Sequence, residues 1–274
     1  RRHSLGAVML LLVLLGATGV QHLGPAPPAK IERVVTLAPS LSSTVLELGA
    51  GDTLVGVSRF DEDARVAKLP RVGGFVDPSV ETIVALKPQL LVVQKAPGNR
   101  QAVEKIAELN VPVLALPLTS VSDVLDAIRE LGTALGRSEK AREMIDAIES
   151  TRARMRELAK KDARHPRVLM IYGFKPLVVA GQGGFADELL ADLGAVNVAG
   201  KARSAYPVFS LERALALQAD VVVDCSDVAD GRDDTRALLK KPRWVLMPSR
   251  ALLQPGPSLG RGLEELRKVV FGGP

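Results

Sequence analysis

The longest helical periodicity in this 274-residue sequence runs from Val121 to about Lys161. Apolar residues recur there at intervals of three, four and seven, which places them on one face of a helix. They are Val121, Val124, Leu125, Ile128, Leu131 and Leu135, then Met144, Ile145, Ile148, Met155 and Leu158. Gly136-Arg137-Ser138 interrupts the pattern, so we predict a short helix followed by a long one. Charges of alternating sign on the second helix indicate a solvated face with local ion pairs.

A shorter pattern occurs twice, once on each side of this helical stretch. Glu81 and Glu212 lie 131 positions apart, and each follows a serine by two residues. An Ala-Leu pair comes four residues after each glutamate, and a strand-like apolar run follows, Leu90–Val93 in one copy and Val221–Val223 in the other. We therefore predict two related α/β halves separated by a helical spacer.

Short apolar runs alternate with helical segments in both halves, as in parallel sheets covered by helices on both faces. Strands are predicted at 33–37, 54–57, 90–93 and 113–116, and again at 167–171, 177–180, 221–223 and 244–246. Ser40 or Ser42 is expected to cap the helix after the first strand. The sequence thus predicts an α/β protein with two Rossmann-like lobes, 31–118 and 163–274, joined by one long helical segment over 119–162. Because that joint is rigid, we expect small closure on ligand binding.

Residues 1–30 have the pattern of an export signal followed by a tether. Two arginines precede an uncharged apolar run from Leu5 to Val20, small residues stand at 17–19, and three prolines lie between 25 and 28. The alternative is an uncleaved anchor helix, although the run is short for a membrane span. No cysteine follows the run, so the sequence does not support a lipid anchor. We expect a periplasmic protein.

Composition excludes several classes of function. The net charge is +5, but no basic patch is interleaved with aromatic residues, so a nucleic-acid partner is not expected. The single cysteine, Cys225, has no disulfide partner in the chain and is predicted to be a buried, inert thiol. The histidines are His3 and His22 in the exported segment and His165 near the end of the long helix. A histidine-based catalytic or metal site is therefore not expected, and neither is a resident cofactor.

The candidate ligand site follows from the predicted sheets, because ligands of open parallel sheets bind beyond the carboxyl ends of the strands. Aromatic residues make up only 3% of the chain, yet four of them fall at strand ends or in the loops of this predicted cleft. Each alone is as well explained by core packing, but together they favour a cleft for a flat or bulky ligand. The predicted site residues are Ser40, Phe60, Phe75, Gln94, Tyr172, Gly173 and Tyr206.

A glycine-rich segment offers the one enzyme signal. Gly181 to Ala186 fits the dinucleotide pattern G-x-G-x-x-A between a strand and a helix, which leaves an exported Rossmann-type NAD(P) enzyme as an alternative. No acidic residue ends a strand about twenty positions later, as that fingerprint requires. A tight turn lining the cleft is the favoured interpretation.

Longer motifs resemble those of the periplasmic binding proteins of cobalamin, haem and siderophore importers, and most closely the vitamin B12-binding members. They include VVTLAPS at 34–40, LGAGD at 48–52, LPRVGG at 69–74, ALKP at 85–88 and YPVFSLE at 206–212. The resemblance covers nearly everything after residue 31. It implies two α/β lobes joined by one long helix.

The resemblance also implies roles for individual residues. Glu81 and Glu212 match the glutamates that contact basic residues on paired transporter subunits, although the sequence alone explains each by the helix dipole. The matching ligand positions are Phe75, Tyr172 and Tyr206, and with a looser alignment Ser40 and Phe60. Gln94 departs from the pattern, because the vitamin B12-binding members have an aromatic residue there, and the cysteine pair of those members is missing.

Together these inferences predict a solute-binding subunit of an ABC importer rather than an enzyme. It would be a monomer that binds a cobalamin-like corrinoid between its lobes and delivers it to a permease dimer with ATPase subunits. The alternatives within the class are a ferric siderophore or haem, the latter with Tyr172 or Tyr206 as an axial ligand.

Overall fold

The computed structural model describes residues 19–272, so the predicted export signal, up to residue 18, lies outside the described residues. The N-terminal lobe holds one sheet in the order β1-β5-β4-β2-β3, which is parallel except for the antiparallel edge strand β1. In chain order its elements are β1 (Gln21–Leu23), β2 (Val34–Thr36), α1 (Pro39–Glu47), β3 (Leu54–Gly56), α2 (Val80–Ala85), β4 (Leu90–Gln94), α3 (Arg100–Glu108), β5 (Val113–Leu116) and α4 (Val121–Ala134).

The helix α5 (Ser138–Lys160) leads into the C-terminal lobe, whose sheet has the order β11-β10-β6-β7-β9, with β8 beside β6. Strands β6, β8, β10 and β11 are parallel, and β7 and β9 are antiparallel. The elements are β6 (Arg167–Phe174), β7 (Leu177–Val179), α6 (Phe185–Asp192), β8 (Val196–Asn197), β9 (Val208–Phe209), α7 (Leu211–Ala216), β10 (Val221–Asp224), α8 (Arg232–Leu238), β11 (Arg243–Leu246) and α9 (Leu259–Phe271).

A single hydrophobic core runs through both lobes along α5. It contains residues of α1 and α4 on one side and of α6 and α9 on the other, with Ile148 and Met155 of α5 buried between them. The opposite faces of the two sheets have separate cores. With 23 residues, α5 is about 35 Å long at 1.5 Å per residue, enough to back both lobes. The predicted helical joint and its break at Gly136-Arg137-Ser138 are confirmed.

The predicted duplication is visible in the two short helices. The Oγ atoms of Ser79 and Ser210 accept the amide N–H groups of the third residues of α2 and α7. At the other end, Lys87 and Gln218 both have positive φ, 47° and 50°. They are again 131 positions apart, so the repeat register extends to the backbone conformation that ends each helix.

Two expectations about the N-terminal lobe were wrong. Gln21–Leu23 is not tether but strand β1, which pairs with Val113–Ala115 of β5, so the lobe begins before residue 31. Neither Ser40 nor Ser42 caps α1, because the helix starts earlier, at Pro39, and its N-cap residue is Ala38. Within residues 19–272 no helix is both long and apolar enough to span a bilayer.

Candidate functional site

The carboxyl ends of the strands of both lobes face each other across a cleft. At this end the backbone N–H of Phe185 in the C-terminal lobe donates to the carbonyl of Thr119 in the N-terminal lobe at 2.7 Å. Arg250 of the C-terminal lobe forms an ion pair with Glu62 of the N-terminal lobe at 2.5 Å. Of the predicted site residues, Phe60, Phe75 and Tyr206 lie in loops, Gln94, Tyr172 and Gly173 lie near strand ends, and Ser40 lies in the first turn of α1.

Two of the predicted aromatic residues lie near each other on the N-terminal wall, on either side of Gly74. Phe60 is 50% exposed, and the Arg59 guanidinium lies 4.9 Å from its ring centroid. Its ring lies directly over Gly74, since a Cβ there would come within 2.7 Å of Phe60 Cε2. Phe75 is the next residue and packs half-buried against the core of the outer sheet face. This wall therefore presents one open ring beside one anchored ring.

Gln94 and Ser40 differ in how far they are open to the cleft. Gln94 ends β4 half-buried, and its carbonyl accepts the side-chain amide of Asn99 at 2.8 Å. Ser40 is only 5% exposed, and its carbonyl accepts the Thr44 hydroxyl at 2.7 Å. Gly256 of the other lobe lies directly against Ser40. Ser40 thus lies in an inter-lobe contact and is not open to the cleft like Phe60.

The C-terminal wall is an aromatic cluster at the ends of β6 and β10. Tyr172 contacts Tyr206 edge to face at 5.4 Å between ring centroids, and Phe185 at 6.5 Å. Tyr206 is 38% exposed on the loop before β9, while the Tyr172 hydroxyl is buried without a hydrogen-bond partner. Tyr172 lies where the β6–β7 pairing shifts register between Ile171 and Gly173, which breaks the regular pleat at this point.

Burial controls the protonation of this cluster. Loss of solvent raises the pKa of Tyr172 well above that of an exposed phenol, and it also raises the pKa of Tyr206. The pKa of the neighbouring Cys225 thiol is raised for the same reason, and its side chain is 6% exposed. All three groups are therefore protonated at neutral pH, which agrees with the inert thiol expected from the sequence.

A buried polar network under the N-terminal wall was missed by the sequence analysis. Ser42 Oγ donates to Asp61 Oδ2 at 3.0 Å and lies 2.7 Å from the hydroxyl of Thr36. Asp61 is 5% exposed, and its desolvation raises its pKa to about 6, against the lowering effect of the Ser42 hydrogen bond. Because Asp61 stands between Phe60 and Glu62, this network holds the loop that presents both residues to the cleft.

The two glutamates of the repeat are exposed at the same end of the molecule. Each lies in the first turn of its helix, Glu81 in α2 and Glu212 in α7. Hydrogen bonds from its own backbone N–H and from the Ser210 hydroxyl lower the pKa of Glu212. The repeat therefore places an exposed carboxylate at equivalent positions of the two lobes.

The glycine-rich turn is not a dinucleotide site. The N–H groups of Gly181 and Gln182 donate to the carbonyls of Ala205 and Ala202, so they are not available to a pyrophosphate. A Cβ on Gly181 would lie 2.1 Å from the carbonyl oxygen of Ser204. The glycine is required because the loop carrying Tyr206 packs directly on it.

Other candidate sites are lacking or lie elsewhere. Within residues 19–272, no three His, Cys, Asp or Glu side chains are grouped so that they could hold a metal ion. Two surface depressions, of ≈ 240 and ≈ 420 Å³, lie along α5 and at the α4–α5 turn, away from the aromatic walls.

Comparison with known proteins places this geometry in context. The family described as "Periplasmic binding protein" matches residues 34–249. Among curated proteins, the vitamin B12-binding protein of Salmonella paratyphi A is 30% identical over 193 residues, 70% of this chain and 71% of that protein. The vitamin B12-binding protein of Vibrio cholerae is 26% identical over 200 residues, 72% of this chain and 71% of the relative.

Solved structures share the fold over most of the chain. The apo haem-binding protein RhuT of Roseiflexus sp. RS-1 is 27% identical with a TM-score of 0.75, covering 88% of this chain and 98% of that one. A haem-binding protein of Pseudomonas aeruginosa is 27% identical with a TM-score of 0.71, covering 89% and 94%. The vitamin B12-binding protein BtuF of Vibrio cholerae, at 22% identity, has a TM-score of 0.75 with 89% and 98% covered.

Proposed function

Because the chain belongs to the periplasmic binding protein family, we propose that it binds a cobalamin-like corrinoid between its lobes. It is a solute-binding protein of an ABC importer and not an enzyme. The curated relatives described above bind vitamin B12, which supports a corrinoid as the ligand.

The observation that carries the proposal is the pair of aromatic walls. Phe60 and Phe75 stand on one lobe and Tyr172 and Tyr206 on the other, at the carboxyl ends of the two sheets. Aromatic faces bind extended ring systems through large contact areas, with 150–250 Å² buried for each residue. Gln94 adds a polar group at the rim, suited to the amide-rich edge of a corrinoid.

Delivery to the membrane partner rests on Glu81 and Glu212. An exposed carboxylate at equivalent positions of the two lobes suits a permease of two paired subunits with a basic residue on each subunit. The phosphate-binding loop of an ATPase does not occur in the sequence, so energy for transport comes from the ATPase subunits of the importer.

Haem is the second candidate, favoured by the unpartnered hydroxyl of Tyr172 beside Tyr206. Both tyrosines could supply an oxygen ligand to iron. Such ligation requires loss of the phenol proton, however, and burial raises the pKa of both groups. The corrinoid therefore remains the first proposal.

Calorimetric titration of the protein from Gly19 onward with cyanocobalamin tests the proposal. A dissociation constant at or below about 1 μM, roughly −8 kcal/mol, with one site per chain is the expected result. Absence of binding would overturn the corrinoid. A Soret shift on titration with haemin, lost when both Tyr172 and Tyr206 are changed to Phe, would then assign haem.

A further inference from the structure

The duplicated fold makes the two lobes touch at two related places. Two loops are equivalent in the repeat: the loop after β5 reaches the first turn of α6 in the other lobe, and the loop after β11 reaches the first turn of α1. One crossing joins Thr119 to the start of α6, and the other joins the segment 250–256 to the start of α1. Thr119 and Arg250 are 131 positions apart, the register of the repeat.

The sheet orders place these crossings at opposite ends of the cleft. In the N-terminal sheet, β5 lies on the β1 side and β3 forms the other edge. In the C-terminal sheet, β7 lies on the β9 side and β11 forms the other edge. The first crossing therefore closes the β5–β7 end, and the second closes the β3–β11 end.

The first crossing is held by directional hydrogen bonds to the main chain, beside one fully buried side chain. Phe185, the first residue of α6, donates its N–H to the Thr119 carbonyl at 2.7 Å, and its side chain is fully enclosed. Glu188 Oε1 accepts the N–H of Val121 at 3.0 Å. The same carboxylate lies 3.7 Å from Arg152 of α5, which binds the buried Asp192. Hydrogen bonds and ion pairs thus connect the start of α4 and the helices α5 and α6 at this end.

The equivalent main-chain bond is impossible at the second crossing. The first residue of α1 is Pro39, which has no N–H to donate across the lobes. Gly256 lies against Ser40 there, and Arg250 forms an ion pair with Glu62. Arg250 also pairs with Asp227 of its own lobe. Side-chain exposure is 38% for Arg250 and 73% for Glu62, so water and salt reach this link.

From this asymmetry we infer that the lobes pivot at the Thr119–Phe185 end and that the Arg250–Glu62 pair is a latch, which opens to admit the ligand. The inference rests on the proposed function for its ligand. An exposed ion pair is weak and screened by salt, whereas a hydrogen bond between two main-chain groups does not depend on paired charges. A small rotation about α5 opens the latch end while the other end stays closed.

The rate of cyanocobalamin association tests the latch. This ligand has no net charge, so salt does not alter its long-range steering. We expect Glu62→Gln to raise the association rate and the dissociation rate about two- to fivefold each, leaving the equilibrium affinity nearly unchanged. The association rate of the unchanged protein is expected to rise by a similar factor between 0.01 and 0.5 M salt. The association rate of Glu62→Gln is expected to stay constant over the same range.

Glu139→Gln is the matched control, because it removes the same charge from an exposed site on α5. It should bind like the unchanged protein. An association rate for Glu62→Gln equal to that control at every salt concentration would overturn the latch. Arg250→Gln provides an independent second variant with the same expectation.

A ligand-free measurement separates this inference from the proposed function. Spin labels on cysteines introduced at Lys68 and Val228 report the distance at the latch end. Labels introduced at Ser122 and Gln182 report the distance at the pivot end. The native thiol of Cys225 is buried and is therefore shielded from the label. The latch is supported even if cyanocobalamin does not bind, provided that two results are found. The distribution of distances at the latch end must broaden with salt, and the distribution at the pivot end must stay constant. Equal widths at both ends, unchanged by salt, would refute it whichever ligand the protein binds.

Discussion

Tyr172 and Tyr206 meet edge to face, with ring centroids 5.4 Å apart and ring planes at 89°. Tyr172 belongs to the central strand β6, whereas Tyr206 belongs to a loop that packs on Gly181. The exposed ring is therefore positioned by a buried one, and the glycine-rich turn acts as its support.

Removal of the Tyr206 ring is expected to weaken cyanocobalamin binding. Tyr206→Ala should raise the dissociation constant about tenfold or more, because one aromatic face of the cleft is lost. Tyr206→Phe keeps the ring and should bind within about twofold of the unchanged protein. Titration calorimetry compares the two variants, and an equal loss in both would show that the hydroxyl rather than the ring makes the contact.

Neutralising the two exposed glutamates is expected to block delivery without affecting ligand binding. Glu81→Ala and Glu212→Ala should each reduce ligand-dependent transport by about fivefold or more, and the double variant further, since each removes one charged contact with the permease. Uptake into vesicles carrying the importer measures the effect. Glu104→Ala, an exposed glutamate on α3 paired with Arg100, is the control and should transport normally. Weakened ligand binding in the glutamate variants would contradict a role confined to docking.

The ion pair between α5 and α6 is expected to stabilise the protein substantially. Arg152→Ala leaves the carboxylate of Asp192, which is 7% exposed, with only Arg156 at 3.6 Å. We expect the free energy of unfolding to fall by about 2 to 3 kcal/mol, at or below the lower end of the range for a broken buried pair, because Arg156 still neutralises part of the charge. Urea unfolding measures it. Arg142→Ala removes an exposed pair on the same helix and should change the value by less than about 0.5 kcal/mol.

The buried carboxyl of Asp61 is expected to make the free energy of unfolding larger at pH 5 than at pH 7. A variant without this titrating group should lack that contribution. Its pKa is about 6 in the folded protein against 3.8 for an exposed aspartate, so between these pH values the native state binds more protons than the unfolded chain. The free energy of unfolding therefore falls as pH rises through this range, by about 1 kcal/mol from pH 5 to pH 7 for this group. In Asp61→Asn, the change in the free energy of unfolding between pH 5 and pH 7 should be smaller by this amount. Urea unfolding at both pH values measures it, and an identical pH dependence in the two proteins would exclude the effect.

The sequence predicted the features that depend on local patterns. The apolar stripe of α5, the break before Ser138 and the paired helices α2 and α7 all follow from spacing alone. Strand β1 was missed because three residues before a run of prolines show no alternation, and only pairing with β5 makes them a strand. Helix α8 was not predicted, whereas the strand predicted at 244–246 is confirmed as β11, which pairs with β10.

The candidate site was predicted only in part, for a related reason. Tyr172 and Tyr206 lie together, and Phe60 lies beside Phe75, as expected for residues at strand ends. The inter-lobe contact of Ser40 and the pair Arg250–Glu62 depend on how the lobes meet, which no local pattern encodes. Asp61 was missed because a carboxylate is ordinarily exposed, and its burial follows from the loop between β3 and α2.

The direction of β1 has a practical consequence for handling the protein. Gln21 pairs with Ala115 near the carboxyl end of β5, so any sequence before Gly19 leaves the lobe at the mouth of the cleft. The end of α9 lies at the opposite pole, where Arg164 donates to the carbonyl of Phe271. An affinity handle or fluorescent fusion on the amino-terminal side would crowd both the entrance and the two glutamates. Immobilisation through the α9 end on a sensor chip instead leaves the entrance facing the solution.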